Sequence, residues 1–243
     1  MGGLLLSLLV AIGIMERQQI PEWRDITESP AISNEYTGDY RRAIEKSRSS
    51  AVRIRSTALT FWGGTSTMSG TYFIANGKPY VVTVHHGIQG PCWLVRVDHD
   101  GSATTCKEYV AQDEMRDYVI MELEEPLPNR TPIKIPDDLP RGIESWKNSY
   151  SLLTNIVYTG YPNALGPLTL RGDVVGYAAE EYLYVFSHAY GGASGSGVFT
   201  RDGHYIGYIL AIDVGSTDLG IDILENIVIV APSFNVDWSA LRD

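Results

Sequence analysis

Gly192-Ala193-Ser194-Gly195-Ser196-Gly197 sets a serine in a turn of small residues just ahead of the strand-like Val198-Phe199-Thr200. A serine nucleophile needs such a setting, because an attacked carbonyl must reach the hydroxyl while backbone N–H groups of the same turn face the oxygen that becomes charged. Bulky neighbours would block both. A serine-glycine run is also an ordinary turn or linker, so its meaning depends on partners elsewhere in the chain.

Two partners lie upstream. Val81-Val82-Thr83-Val84-His85-His86-Gly87-Ile88 is an apolar, β-branched run that reads as a strand ending at a histidine and released by glycine. Asp117-Tyr118-Val119-Ile120-Met121-Glu122-Leu123 places a carboxylate at the start of another apolar strand, where it can lie buried against an imidazole. A carboxylate so placed fixes the imidazole tautomer and stabilises the imidazolium. Taken singly, these are a packed histidine and a strand-capping aspartate; all three in one chain point to nucleophilic catalysis. Adjacent residues on a strand face opposite ways, so His85 and His86 cannot clamp one ion, and only one of them can serve as the base.

Strand signals recur between turn residues at 51–58, 71–76, 79–84, 92–97, 104–110, 117–123, 155–160, 168–176, 180–186, 196–200, 204–213 and 226–231. Few helical periods compete with them. Short strands at this spacing argue for barrels or a sandwich, and 243 residues suffice for one large β domain or two small barrels. The net charge of −10 speaks against nucleic acid as a partner, since phosphate binding is driven by clustered Lys and Arg. The histidines show no metal-ligand spacing, and no nucleotide-binding glycine motif is present.

The three segments resemble the trypsin-like (chymotrypsin-fold) serine peptidases, including their bacterial and viral relatives. Thr83-Val84-His85-His86 is similar to that family's Thr-x-x-His element, Asp117-Tyr118-Val119-Ile120-Met121 to its Asp-hydrophobic strand, and Gly192-Ala193-Ser194-Gly195 to its Gly-x-Ser-Gly turn. The order His, Asp, Ser is also that family's, unlike the orders of α/β-hydrolases and subtilisins. Ser194 fails the hydrolase elbow Gly-x-Ser-x-Gly as well, because position 196 is serine. Further likeness lies in the hairpin Ser69–Ile74 and Gly77–Thr83, the arm Gly203–Leu210, and the tail Ile227–Pro232 with Val236-Asp237-Trp238.

The resemblance implies an all-β fold of two antiparallel six-stranded barrels with a short C-terminal helix. The N-terminal barrel would span 51–135 and carry His86 and Asp117; the C-terminal barrel would span 136–243 and carry Ser194. The crossing is expected within 124–152, with the site in the cleft between barrels. The Thr-x-x-His spacing selects His86 over His85. The implied activity is a serine endopeptidase acting on protein or peptide substrates through an acyl-enzyme, with no cofactor and no metal. The N–H groups of Gly192 and Ser194 would form the oxyanion hole. His188, six positions before the nucleophile, would lie at the base of the specificity pocket, with Ala211 and Asp213 on the following strand. Two departures stand out: Ala193 occupies the place of an aspartate in digestive relatives, and Gly197 that of a common proline, which loosens the turn. A catalytically inactive binding or structural module on the same barrels, anchored by its N-terminus, is the alternative, and an esterase using the same triad is a third reading.

Cys92 and Cys106 flank Asp98-His99-Asp100-Gly101, a hairpin turn signal. A turn centred near His99 makes them cross-strand neighbours, either bridged in an oxidising compartment or held as two buried thiols in a reducing one. Residues 1–50 read as an apolar N-terminal helix, a linker and a short helix at about 38–48. Leu4–Met15 is shorter than the roughly 20 residues that span a bilayer, and it lacks a basic n-region and a clear cleavage site for a signal peptide. Docking on protein or anchoring at a membrane both fit it, and the apolar segment is compatible with a membrane-associated or a secreted protein.

Overall fold

Twelve strands and one helix form among the residues described by the computed structural model, which are 40–59, 63–99, 101–135, 150–178, 181–217 and 220–241. The expected apolar helix at Leu4–Met15, the linker after it and residues 136–149 of the crossing segment lie outside the described residues. Every described residue belongs to one compact unit, Asn34–Asp243.

The first six strands are β1 (Ala51–Thr57), β2 (Thr65–Ala75), β3 (Lys78–Thr83), β4 (Val95–His99), β5 (Ser102–Asp113) and β6 (Tyr118–Leu123). They close into an antiparallel barrel in the order β1-β2-β3-β6-β5-β4, sealed where β1 pairs with β4. The second six are β7 (Asn155–Gly160), β8 (Leu168–Tyr177), β9 (Leu183–Phe186), β10 (Gly197–Thr200), β11 (Tyr205–Thr217) and β12 (Gly220–Pro232). Read as β7-β8-β9-β12-β11-β10, they repeat the same order and close where β7 meets β10. Closure leaves no free sheet edge. The fold is therefore chymotrypsin-like, and the sandwich is excluded.

Each element follows from local chemistry. Asn76 and Gly77, at φ +48° and +77°, make the two-residue turn that joins β2 to β3. Strands β3 and β6 are buried along almost their whole length, as their mainly apolar sequences require, and the buried Glu122 of β6 is paired with Lys78 and Lys107. Ile54, Met68, Tyr72, Phe73, Val81 and Met121 fill the first core, and Ile156, Val174, Leu183 and Val230 the second. Burying side chains of this size contributes about 1.5–3 kcal/mol each. An aromatic group seals the seam: Phe73 packs on Tyr205 and Trp238 at 5.4 and 5.1 Å, and Phe199 on Tyr205 at 5.6 Å.

Helix α1 (Arg41–Ser50) precedes the first barrel in sequence yet docks on the second. Its Ser47 hydroxyl meets that of Thr159 at 2.8 Å, and Lys46 Nζ donates to the Gly203 carbonyl at 2.8 Å. The C-terminal helix is a 3₁₀ turn, Trp238–Leu241, preceded by another at Ser233–Asn235. Strand β2 starts at Thr65, earlier than its apolar signal, because the polar Thr65-Ser66-Thr67 pair with Arg55–Thr57 on an exposed flank. Cys92 is not on a strand: Pro91 accepts from Leu94 N at 2.9 Å and closes a 3₁₀ turn, so β4 begins only at Val95. The two cysteines are thus not cross-strand neighbours. They are nonetheless bonded, tying that turn to β5.

Candidate active site

His86 stands in a turn, not on a strand. Strand β3 ends at Thr83, and the Ile88 amide donates to the His85 carbonyl at 2.8 Å, so the alternation that set His85 against His86 does not operate there. The turn instead presents His86 outward, its side chain 52% exposed. Asp117 lies one residue before β6, closing a turn that Asp113 organises by accepting the amides of Met115 and Arg116 at 2.9 and 3.0 Å. Asp117 itself is left-handed, at φ +54°, which costs a non-glycine residue on the order of 1 kcal/mol. That conformation turns its carboxylate onto His86. Oδ2 meets Nδ1 at 2.6 Å while Oδ1 accepts the His86 backbone amide at 2.7 Å. The pair is fixed at two points, with Nδ1 facing the carboxylate.

The Ser194 turn is built by glycines and by hydrogen bonds to neighbouring strands. Gly192 and Gly195 adopt φ +95° and +87°, and a Cβ on Gly195 would sit 2.1 Å from the Ser69 carbonyl. The Ala193 amide donates to Tyr190, that of Gly195 to Ile209 and that of Ser196 to Ala193, at 2.7–3.0 Å. The Ser196 hydroxyl also bonds the Ala193 carbonyl at 2.6 Å. Among the described residues, the amides of Gly192 and Ser194 donate to no protein acceptor.

Ser69 on β2 ties this turn to the first barrel. Its amide donates to the Ser194 carbonyl at 2.9 Å, and its hydroxyl donates to the Gly192 carbonyl at 2.7 Å while accepting the Tyr161 amide at 2.8 Å. Its own carbonyl accepts the Thr83 hydroxyl at 2.7 Å, three residues before His86. Ser194 is thereby linked, through two fully buried residues, to the segment that carries the imidazole. Among the described residues Ser194 Oγ and His86 Nε2 have no hydrogen bond to each other, as is common before substrate enters a site of this kind.

A family of trypsin-like peptidase domains matches residues 68–207, more than half of the chain. The chain belongs to the trypsin-like peptidase family. The serine endoprotease of Yersinia pestis and the HtrA-type protease AlgW, solved with a tripeptide, share this peptidase fold, each at TM-score 0.58 and 17% identity over 80% of the present chain. The chain spans 62% and 60% of those two structures, respectively. No individually curated protein matches it in sequence.

The remaining expected positions are less connected. His188 is exposed, and only its carbonyl is held, by the Tyr158 hydroxyl. Burial pushes the Tyr158 phenol up to about 12, so it stays a donor at neutral pH. Ala211 and Asp213 lie on β11 opposite Ile229 and Leu224, and their side chains lie outside the described residues. Among the described residues no group of three or more His, Cys, Asp or Glu could hold a metal ion, and no helix is long and apolar enough to cross a membrane. The sequence gives no sign of the part that Ser69 takes in this turn. Ser69 stands in a recognised hairpin, but nothing local signals a bond to a residue 123 positions away.

Proposed function

We propose that this peptidase domain is a serine endopeptidase in which Ser194 is the nucleophile, His86 the general base and Asp117 the group that orients His86. The single observation that carries the reading is the two-point His86–Asp117 contact. With Nδ1–H directed at Oδ2, Nε2 is the nitrogen left to accept a proton. Ser194 Oγ attacks a peptide carbonyl and its proton passes to Nε2. The carbonyl oxygen becomes an oxyanion beside the amides of Gly192 and Ser194, each donor lowering the barrier by on the order of 3 kcal/mol. His86 then protonates the leaving amine, and water cleaves the Ser194 ester by the same route. The substrate is a polypeptide segment, with its specificity pocket near His188, Ala211 and Asp213.

Hydrolysis of unfolded casein by the purified chain and by Ser194→Ala tests this. Cleavage by the first and not the second is expected. Equal cleavage by both, or by neither, would overturn it and favour a binding module on the same barrels.

A further inference from the structure

The nucleophile and the acid sit on different barrels, so something must set their separation. Strand β11 touches both. Its Ile209 carbonyl accepts the Gly195 amide at 2.7 Å and its Ile209 amide donates to Ser196 at 2.9 Å, directly after the nucleophile. The preceding residue, Tyr208, is opposite Gly197 in the β10–β11 pair. Its side chain runs the other way across the seam, and its hydroxyl donates to the Arg116 carbonyl at 2.9 Å.

That carbonyl belongs to the peptide plane leading into Asp117. The peptide plane before it, Met115–Arg116, is held by the Arg116 amide on Asp113, so the Tyr208 bond restrains the next plane, the one from which the left-handed φ of Asp117 is measured. Rotation of this plane would swing the carboxylate away from His86. The turn has little else to hold it, since Met115 at its tip is 91% exposed. Tyr208 is itself fully buried, which fixes its ring. Burial, followed by the nearby Tyr205 and Asp117, holds its phenol well above the usual range and keeps it a donor.

We propose that the Tyr208 hydroxyl is a positioning group that holds the Arg116–Asp117 peptide, and through it the triad carboxylate, in register with the Ser194 turn. The proposal rests on the peptidase reading above and deepens it. Tyr208 touches neither substrate nor the reacting atoms; it acts through Asp117.

The test is Tyr208→Phe, which removes one oxygen and keeps the ring, beside Tyr205→Phe. Tyr205 is an equally buried phenol whose hydroxyl bonds no described residue, so it controls for loss of a buried oxygen. Two readouts are followed: peptide hydrolysis, and the proton NMR signal of His86 Nδ1–H, which reports the contact with Asp117 whether or not turnover occurs. For Tyr208→Phe, kcat is expected to fall about 10- to 100-fold with KM within about twofold, as for a small misplacement of a catalytic group. Its Nδ1–H signal should move upfield or be lost to exchange. Tyr205→Phe should keep both at wild-type values. An unchanged Nδ1–H signal in folded Tyr208→Phe would overturn the proposal, as would equal effects of the two variants. If Tyr208→Phe does not fold while Tyr205→Phe does, Tyr208→Met, read by the same NMR signal, decides by the same criterion. Wild type that shows the signal without hydrolysing peptide would count against the peptidase reading and leave the positioning result standing.

Discussion

The His86–Asp117 half of the site and the Ser194 half are held by different means. In the first barrel, Asp117 reaches His86 directly, and both contacts of the pair lie between neighbouring turns of one barrel. In the second, the Ser194 turn takes its shape partly from the other barrel: the carbonyls of Gly192 and Ser194 both accept from Ser69. The imidazole pair is a local construction, whereas the proposed oxyanion turn is a construction of the interface. Damage to the His86–Asp117 contacts, or to the Tyr208 bond that reaches across the seam to them, should strike proton transfer, and damage to the Ser69 contacts should strike the stabilisation of developing charge.

The largest expected effect breaks the local half. Asp117→Asn should lower kcat about 10⁴-fold while leaving the fold intact, because an amide favours the wrong tautomer of His86; steady-state peptide hydrolysis measures it. The seam comes next. Gly195→Ala forces a Cβ to 2.1 Å from the Ser69 carbonyl at φ +87°, and its kcat should drop on the order of 10²–10³-fold, the size of a lost oxyanion donor. Gly101→Ala, at φ +75° with nothing within 4 Å, is the comparison, costing only about 1 kcal/mol of stability and no activity. Thermal melts beside kinetics separate the two.

Ser69→Ala sharpens the contrast at smaller scale. Removing the hydroxyl leaves the Tyr161 amide and the Gly192 carbonyl without their shared partner, at a stability cost of about 1–3 kcal/mol. Binding of a peptide aldehyde, which forms the tetrahedral adduct, should weaken about tenfold while the affinity of a product peptide stays the same, and the His86 Nδ1–H signal should not move. The smallest effect is that of His85→Ala, whose hydrolysis should remain within about twofold of wild type, as expected of substitutions away from the chemistry.

Much of the fold is legible in the sequence. The alternating and continuous apolar runs mark all twelve strands, because burial on a pleated sheet demands them. The Thr-x-x-His, Asp-hydrophobic and Gly-x-Ser-Gly segments mark the proposed site, each through particular residues within a few positions. Strand ends were less visible: Thr65-Ser66-Thr67 pair through their backbone and carry no apolar pattern, and Pro91 redirects Cys92 into a 3₁₀ turn. The contacts that join the barrels were invisible. Ser69 to Gly192 and Tyr208 to Arg116 each cross about a hundred residues, and a single hydroxyl leaves no periodic trace.

Labelling by a fluorophosphonate probe, which bonds covalently only to an activated serine, tests most directly whether the two halves form one working site. Wild type should take up one probe per chain at Ser194, with Ser194→Ala unlabelled and Asp117→Asn strongly slowed. Absence of labelling in wild type, or labelling that survives in Ser194→Ala, would contradict it.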